Sequence, residues 1–165
     1  MGVVGSYVFR DVVTVIDLAR GVIALYAPQN FRPEAVRWLP TRMRPDVPSV
    51  EVKVEGRSAW LLLDTGMQGA ITLFDPESAT RLGLSPLNDN AVAVGSDGRR
   101  VDQRLMAARN VEFAGEIRQK VRVMVPPFRM AAARPTLQGL MGNQLLAGRT
   151  IVIDGPRRRV GVILT

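Results

Sequence analysis

The side chains available for chemistry are few in kind. The chain has no histidine and no cysteine. That removes Ser-His-Asp and Cys-His catalysis, disulfides, and metal centres built on imidazole or thiolate. Acid–base work therefore falls to carboxylates, with Tyr, Lys or bound water as minor options. One carboxylate stands out. In Trp60-Leu61-Leu62-Leu63-Asp64-Thr65-Gly66 an apolar run ends abruptly in an acid, a small hydroxyl residue and glycine. Taking a carboxylate out of water costs several kcal/mol unless it is paired or protonated. Asp64 must therefore meet donors or be kept for chemistry. Gly66 lets a backbone amide approach the acid, and the Thr65 hydroxyl can bond to nearby backbone. Asp-Thr-Gly is also ordinary turn vocabulary, so the tripeptide alone decides little. Asp17 and Asp154 end apolar runs as well, but neither is followed by Thr-Gly, and they read as turn residues.

The elements around Asp64 are short. Val50–Val54 alternates apolar and polar, as a half-buried strand does. Glu55-Gly56-Arg57 reads as a hairpin turn. Ala59–Leu63 is continuously apolar and reads as a fully buried strand, and Ala70–Leu73 as a short one. Asp75-Pro76-Glu77 opens a helix, with Asp as N-cap and Pro in the first turn, and Gly83 closes it. Val92–Val94 and Arg99–Leu105 flank Gly95-Ser96-Asp97-Gly98, a hairpin signal. Val111–Phe113 and Val121–Val125 pair across Ala114-Gly115-Glu116, and Thr150–Ile153 and Val160–Leu164 finish the chain. Many short strands with one brief helix give an all-β, barrel-like domain.

With 165 residues, 47% of them apolar, one packed domain with an added arm is expected. Residues 2–26 align without a gap on residues 139–163, at an offset of 137. Six positions are identical: Gly2/Gly139, Gly5/Gly142, Val15/Val152, Ile16/Ile153, Asp17/Asp154 and Arg20/Arg157. Average composition gives roughly one or two. Each copy reads as a short helical turn, a strand ending in Asp, a turn and a second strand. Between the copies, residues 27–48 hold five of the eleven prolines and read as a linker or arm, with one helical turn over Glu34–Leu39.

The formal net charge is +7, and Lys53 and Lys120 are the only lysines among 22 basic residues. The arginines are scattered and aromatics are scarce, so nucleic-acid binding is not expected. No stretch is apolar for the ~18 residues that a membrane span needs. Met1–Ser6 lacks the basic start of a signal peptide. The compartment reads as cytoplasmic for the chain as given, and periplasmic if it belongs to a longer exported one.

From about residue 47 to 164 the chain resembles the retropepsin-like aspartic proteases of the bacterial gag-pol-like type. Leu62–Gly66 resembles the catalytic loop. Ala79–Leu84 resembles the helix that follows it, and Val92–Val101 the flap hairpin. Leu140-Met141-Gly142 resembles the apolar-apolar-Gly signature that packs under the loop. Asn143–Leu146 and Ile151–Asp154 resemble the short helix and closing strand. The resemblance implies a closed β-barrel lobe in which Asp64, Thr65 and Gly66 are catalytic. It implies that Met67 and the hairpin residues Val94, Gly95, Ser96, Asp97 and Gly98 bind an extended peptide, with Leu140, Met141 and Gly142 supporting the loop and no cofactor or metal required. Two aspartates then share one proton and activate a water. The chain has one Asp-Thr-Gly, so the second acid comes from a homodimer mate or from another lobe. In the second case residues 1–26 resemble the tail of a preceding lobe, residues 27–46 a linker, and residues 47–165 the lobe itself. Met67 stands where the family has Ala or Ser, and Ala70 replaces a frequent Ser. A non-catalytic dimerisation or peptide-binding module is the alternative.

Overall fold

The computed structural model describes residues 6–32, 35–44, 47–95 and 97–163. After a 3-10 turn at Ser6–Phe9, the strands in chain order are β1 Val13–Asp17, β2 Val22–Tyr26, β3 Val36–Leu39, β4 Thr41–Arg44, β5 Val47–Val54, β6 Arg57–Leu63 and β7 Ile71–Leu73. Helix α1 spans Pro76–Leu82. Then come β8 Ser85–Val94, β9 Arg100–Phe113, β10 Glu116–Val125, β11 Gly139–Met141, helix α2 Asn143–Leu146, β12 Thr150–Asp154 and β13 Arg159–Ile163. The fold is all-β. It divides into two compact units, Val52–Leu145 and Met1–Glu51 with Leu146–Thr165.

In the Val52–Leu145 unit the strand order is β5-β6-β11-β7-β10-β9-β8, and β5 also pairs with β9 at Lys53↔Glu112 and Val54↔Val111. Val52 and Val54 point into the core while Lys53 points out, as the alternation requires. Glu55 and Gly56 both take positive φ, 50° and 76°, which suits a two-residue hairpin turn. The Asn110 amide and the Arg109 guanidinium bond the Glu55 carboxylate at 2.9 and 3.2 Å. They hold its pKa below the ordinary glutamate value. Strand β6 differs from its expected full burial. Ala59 and Leu61 are buried, but Trp60, Leu62 and Leu63 are only half-buried. Leu62 instead packs on a small cluster of Phe74, Ala133 and Leu137.

Helix α1 starts and stops as its sequence dictates. Asp75 accepts the Ser78 amide at 2.6 Å and the Ser78 hydroxyl at 3.0 Å. Gly83 closes the helix at φ +75°, and its amide donates to the Thr80 carbonyl at 3.0 Å. The β8–β9 hairpin is longer than its apolar ends suggest. It begins at Ser85, with a register shift between Pro86 and Asn90.

In the other unit the sheet order is β2-β1-β12-β13-β3, all neighbours antiparallel. The first strands of the two sequence repeats, β1 and β12, thus lie side by side. Asp154 is fully buried at the end of β12 and binds Arg157 and Arg159 at 3.3 and 3.0 Å. The stretch expected as a linker contains β3 and β4. The one-turn helix expected over Glu34–Leu39 is overturned: Val36–Leu39 is a strand paired with β13. Long-range pairing decides its conformation, and a local pattern cannot show that.

Candidate active site

Asp64 is the first residue after β6. That strand runs parallel to β11, with Leu61↔Gly139, Leu62↔Leu140 and Leu63↔Met141 in register. The Asp64 amide continues the ladder by donating to the Met141 carbonyl at 2.9 Å. The chain then turns. Met67 N–H donates to the Asp64 carbonyl at 3.3 Å, and Gly66 N–H donates to Asp64 Oδ1 at 2.9 Å. A Cβ on Gly66 would lie 3.2 Å from that same oxygen, so glycine gives the amide its close approach. The carboxyl group is half-buried, and Thr65 and Gly66 are exposed.

A frame from residues 141–144 holds the loop. Gly142 N–H donates to the Ala70 carbonyl at 2.9 Å, Asn143 N–H to Met67 at 2.8 Å and Gln144 N–H to Gly69 at 3.3 Å. The Asn143 side-chain amide donates to the Thr65 carbonyl at 2.7 Å. Gly142 leaves no room for a side chain: a Cβ there would fall 2.5 Å from the Gly69 carbonyl oxygen and 2.6 Å from that of Met67. Leu140 and Met141 lie directly beside Leu62 and Leu63 of the strand that leads into Asp64.

Met67 folds its thioether beneath the loop. Its sulfur accepts the Thr72 hydroxyl at 3.2 Å, and its methyl group sits at the spot a Gly142 side chain would fill. Val94, Gly95, Asp97 and Gly98 form the tip of the β8–β9 hairpin; Ser96 lies outside the described residues. The tip is braced internally by Gly95 N–H to the Arg99 carbonyl at 2.8 Å, Gly98 N–H to the Gly95 carbonyl at 2.9 Å and Arg99 N–H to Asp97 Oδ1 at 3.0 Å. Val94 is exposed there. Asp17 and Asp154 accept amides of the turns that follow them, Ala19 and Arg20 at 3.0 Å and Arg157 at 3.2 Å.

Two supports escaped the sequence reading. Asn143 was visible only as the start of a short helix. Buried Gln138 bonds Trp60 through both its side chain (2.7 Å) and its own amide (2.9 Å), which fixes β6 just ahead of Asp64. Nothing local marks either role. Among the described residues, no group of three or more His, Cys, Asp or Glu side chains is gathered to hold a metal ion.

The sequence profile described as aspartyl protease matches residues 50–145. The chain belongs to the aspartyl protease family. The matched span holds the Asp64 loop, α1, the β8–β9 hairpin and Leu140-Met141-Gly142. Among solved structures, a retropepsin-like aspartic protease from Rickettsia conorii is similar with a TM-score of 0.53 and 18% identity, over 76% of this chain and 94% of that one. The fold is therefore retropepsin-like. The EIAV protease, in complex with an inhibitor, matches with a TM-score of 0.45 and 18% identity, over 62% of this chain and 86% of its own. Basic 7S globulin from soybean matches with a TM-score of 0.41 and 13% identity, over 92% of this chain and 50% of its own. No curated protein matches the sequence. No helix among the described residues is long and apolar enough to cross a membrane.

Proposed function

We propose that this chain supplies one half of an aspartic endopeptidase site, with Asp64 as its acid. The observation that carries the reading is the loop. A lone Asp-Thr-Gly has its carboxylate oriented by Gly66 N–H and left half open, on a frame that Gly142 and Asn143 keep rigid. A second acid from a homodimer mate or another lobe completes the site. Two carboxyl groups a few ångströms apart cannot both ionise, so the pair holds one proton. The ionised member takes a proton from a water as its oxygen attacks the peptide carbonyl carbon. The protonated member donates to the carbonyl oxygen as charge builds there. Collapse of the tetrahedral species breaks the C–N bond, and a proton from the pair goes to the leaving nitrogen. The β8–β9 hairpin, with Val94 exposed at its tip, is suited to close over an extended peptide.

A second reading is a non-catalytic peptide-binding or dimerisation module. The Met67 thioether, larger than the Ala or Ser expected at that place, favours it. A peptide library incubated at acidic pH and read by mass spectrometry separates the two. The endopeptidase gives cleavages that vanish in Asp64→Asn. Equal cleavage by both proteins ends the endopeptidase reading, and binding without turnover supports the module.

A further inference from the structure

The Thr65–Gly66 peptide unit is held from both sides. No peptide bond among the described residues is cis, so the carbonyl and the N–H of this unit point to opposite sides of one rigid plane. The Gly66 N–H donates to Asp64 Oδ1 at 2.9 Å. On the far side the Thr65 carbonyl accepts the Asn143 side-chain amide at 2.7 Å. Asn143 Nδ2, the peptide plane and the Asp64 carboxyl group thus form one line of donors and acceptors. Each bond in such a line polarises the next.

Two observations bear on what the Asn143 side chain is for. The first is where its bond lies. Thr65 and Gly66 are exposed, so water would take the place of the amide on the Thr65 carbonyl, and the bond adds little to folding stability. The second is the other end of the same amide. Asn143 Oδ1 is buried with no hydrogen-bond partner, and an acceptor left in that state costs stability. Stability alone therefore explains this side chain poorly.

The backbone supplies the reason. The bond from Gly66 N–H to Asp64 Oδ1 lasts only while the Thr65–Gly66 plane keeps its orientation. Turned over, the plane would set the Thr65 carbonyl oxygen against the carboxyl group. Gly66 has no Cβ, so its own backbone offers little resistance to that turn. The rest of the frame acts elsewhere: the N–H groups of Gly142, Asn143 and Gln144 hold Ala70, Met67 and Gly69. They fix where the loop lies, whereas the Asn143 side chain fixes which way its central peptide faces.

We propose that Asn143 is a positioning residue for the Asp64 acid: its side-chain amide locks the Thr65–Gly66 peptide plane and so keeps the Gly66 N–H aimed at the reacting carboxyl group. The proposal rests on the reading of Asp64 as a peptidase acid.

Nuclear magnetic resonance on the isotopically labelled chain tests it. In the parent, scalar couplings are expected across both bonds, from Asn143 Nδ2 to the Thr65 carbonyl carbon and from Gly66 N to Asp64 Cγ. Absence of either coupling overturns the proposal, and that measurement needs no variant. In Asn143→Ala, and in the isosteric Asn143→Asp at neutral pH, the Gly66 amide proton should move upfield and exchange with solvent about fivefold faster. The amides of Gly142, Asn143 or its replacement, and Gln144 should keep their exchange rates. A folded variant with an unmoved Gly66 amide overturns the proposal. So does an equal change at all of these amides, which marks a general loosening. In an assembly that carries two Asp-Thr-Gly loops and cleaves peptides, Asn143→Ala should lower kcat by about tenfold to a hundredfold and leave KM unchanged; a loss confined to KM overturns the proposal. Hydrolysis and resonance are scored separately. Couplings and a Gly66 response without any cleavage by the parent keep the link from Asn143 to Asp64 and remove the endopeptidase.

Discussion

Replacing Gly142 by alanine tests the frame under Asp64 directly. The new methyl group would lie 2.5 Å from the Gly69 carbonyl oxygen and 2.6 Å from both the carbonyl oxygen and the terminal methyl of Met67. The Met67 methyl can swing away, but the two carbonyls belong to the loop backbone. Relief therefore means moving the loop. That strains the bonds from Gly142 N–H to Ala70 and from Asn143 N–H to Met67, at 2.9 and 2.8 Å. Overpacking costs about 1–3 kcal/mol and each lost hydrogen bond about 1 kcal/mol, so the total is about 3–5 kcal/mol. For a chain of this size the melting temperature should fall by roughly 10 °C. Gly148→Ala is the control: a Cβ there meets nothing within 4 Å, and only its φ of +75° resists, at about 1 kcal/mol. Thermal unfolding followed by circular dichroism gives both numbers. A Gly142→Ala protein that melts within about 2 °C of the parent refutes the packing argument.

Asp75→Ala removes the cap of α1 and the acceptor of the buried Ser78 O–H, whose oxygen keeps only the Arg81 guanidinium at 2.9 Å, so a loss of about 1–2 kcal/mol is expected in urea unfolding, with Asp75→Asn recovering most of it; no loss contradicts the cap. Glu55 gives a pH dependence. The Asn110 amide, the strongest influence, favours its ionised form; burial, next in weight, opposes it, and Arg109 adds to the lowering through its backbone amide and its guanidinium. A carboxyl depressed in the folded state stabilises the fold above the unfolded value of about 4.3, and that contribution is lost as pH falls through the lower folded value. The stability gap between the parent and Glu55→Gln should therefore be wide at neutral pH and close in acid; a gap independent of pH contradicts the assignment.

Much of this architecture is legible in single residues. Asp75-Pro76 and Gly83 bound α1 because caps act locally. Gly56 and Gly98 mark hairpin turns because positive φ, 76° and 78°, favours glycine. Asp64-Thr65-Gly66 and Leu140-Met141-Gly142 read as one assembly through the family pattern, and β6 and β11 place them side by side. Strand β3 was illegible, because Val36-Arg-Trp-Leu39 lacks period-two alternation and is fixed by β13, more than a hundred residues away in the chain. The grip of Asn143 on the Thr65 carbonyl leaves no mark either, since one amide meets a distant backbone group. The repeat shows the reverse case: six identities suggest a relation, and the β1–β12 register, centred on Val15↔Val152, turns it into a two-fold axis.

The central claim, that Asp64 works only as one member of a proton-sharing pair, is tested most directly by calorimetric titration with a peptidomimetic whose hydroxyl imitates the tetrahedral intermediate. The account predicts one inhibitor bound per two Asp-Thr-Gly loops, in an assembly that carries both, with binding abolished by Asp64→Asn. One inhibitor per loop, or binding unchanged in the Asn variant, contradicts it.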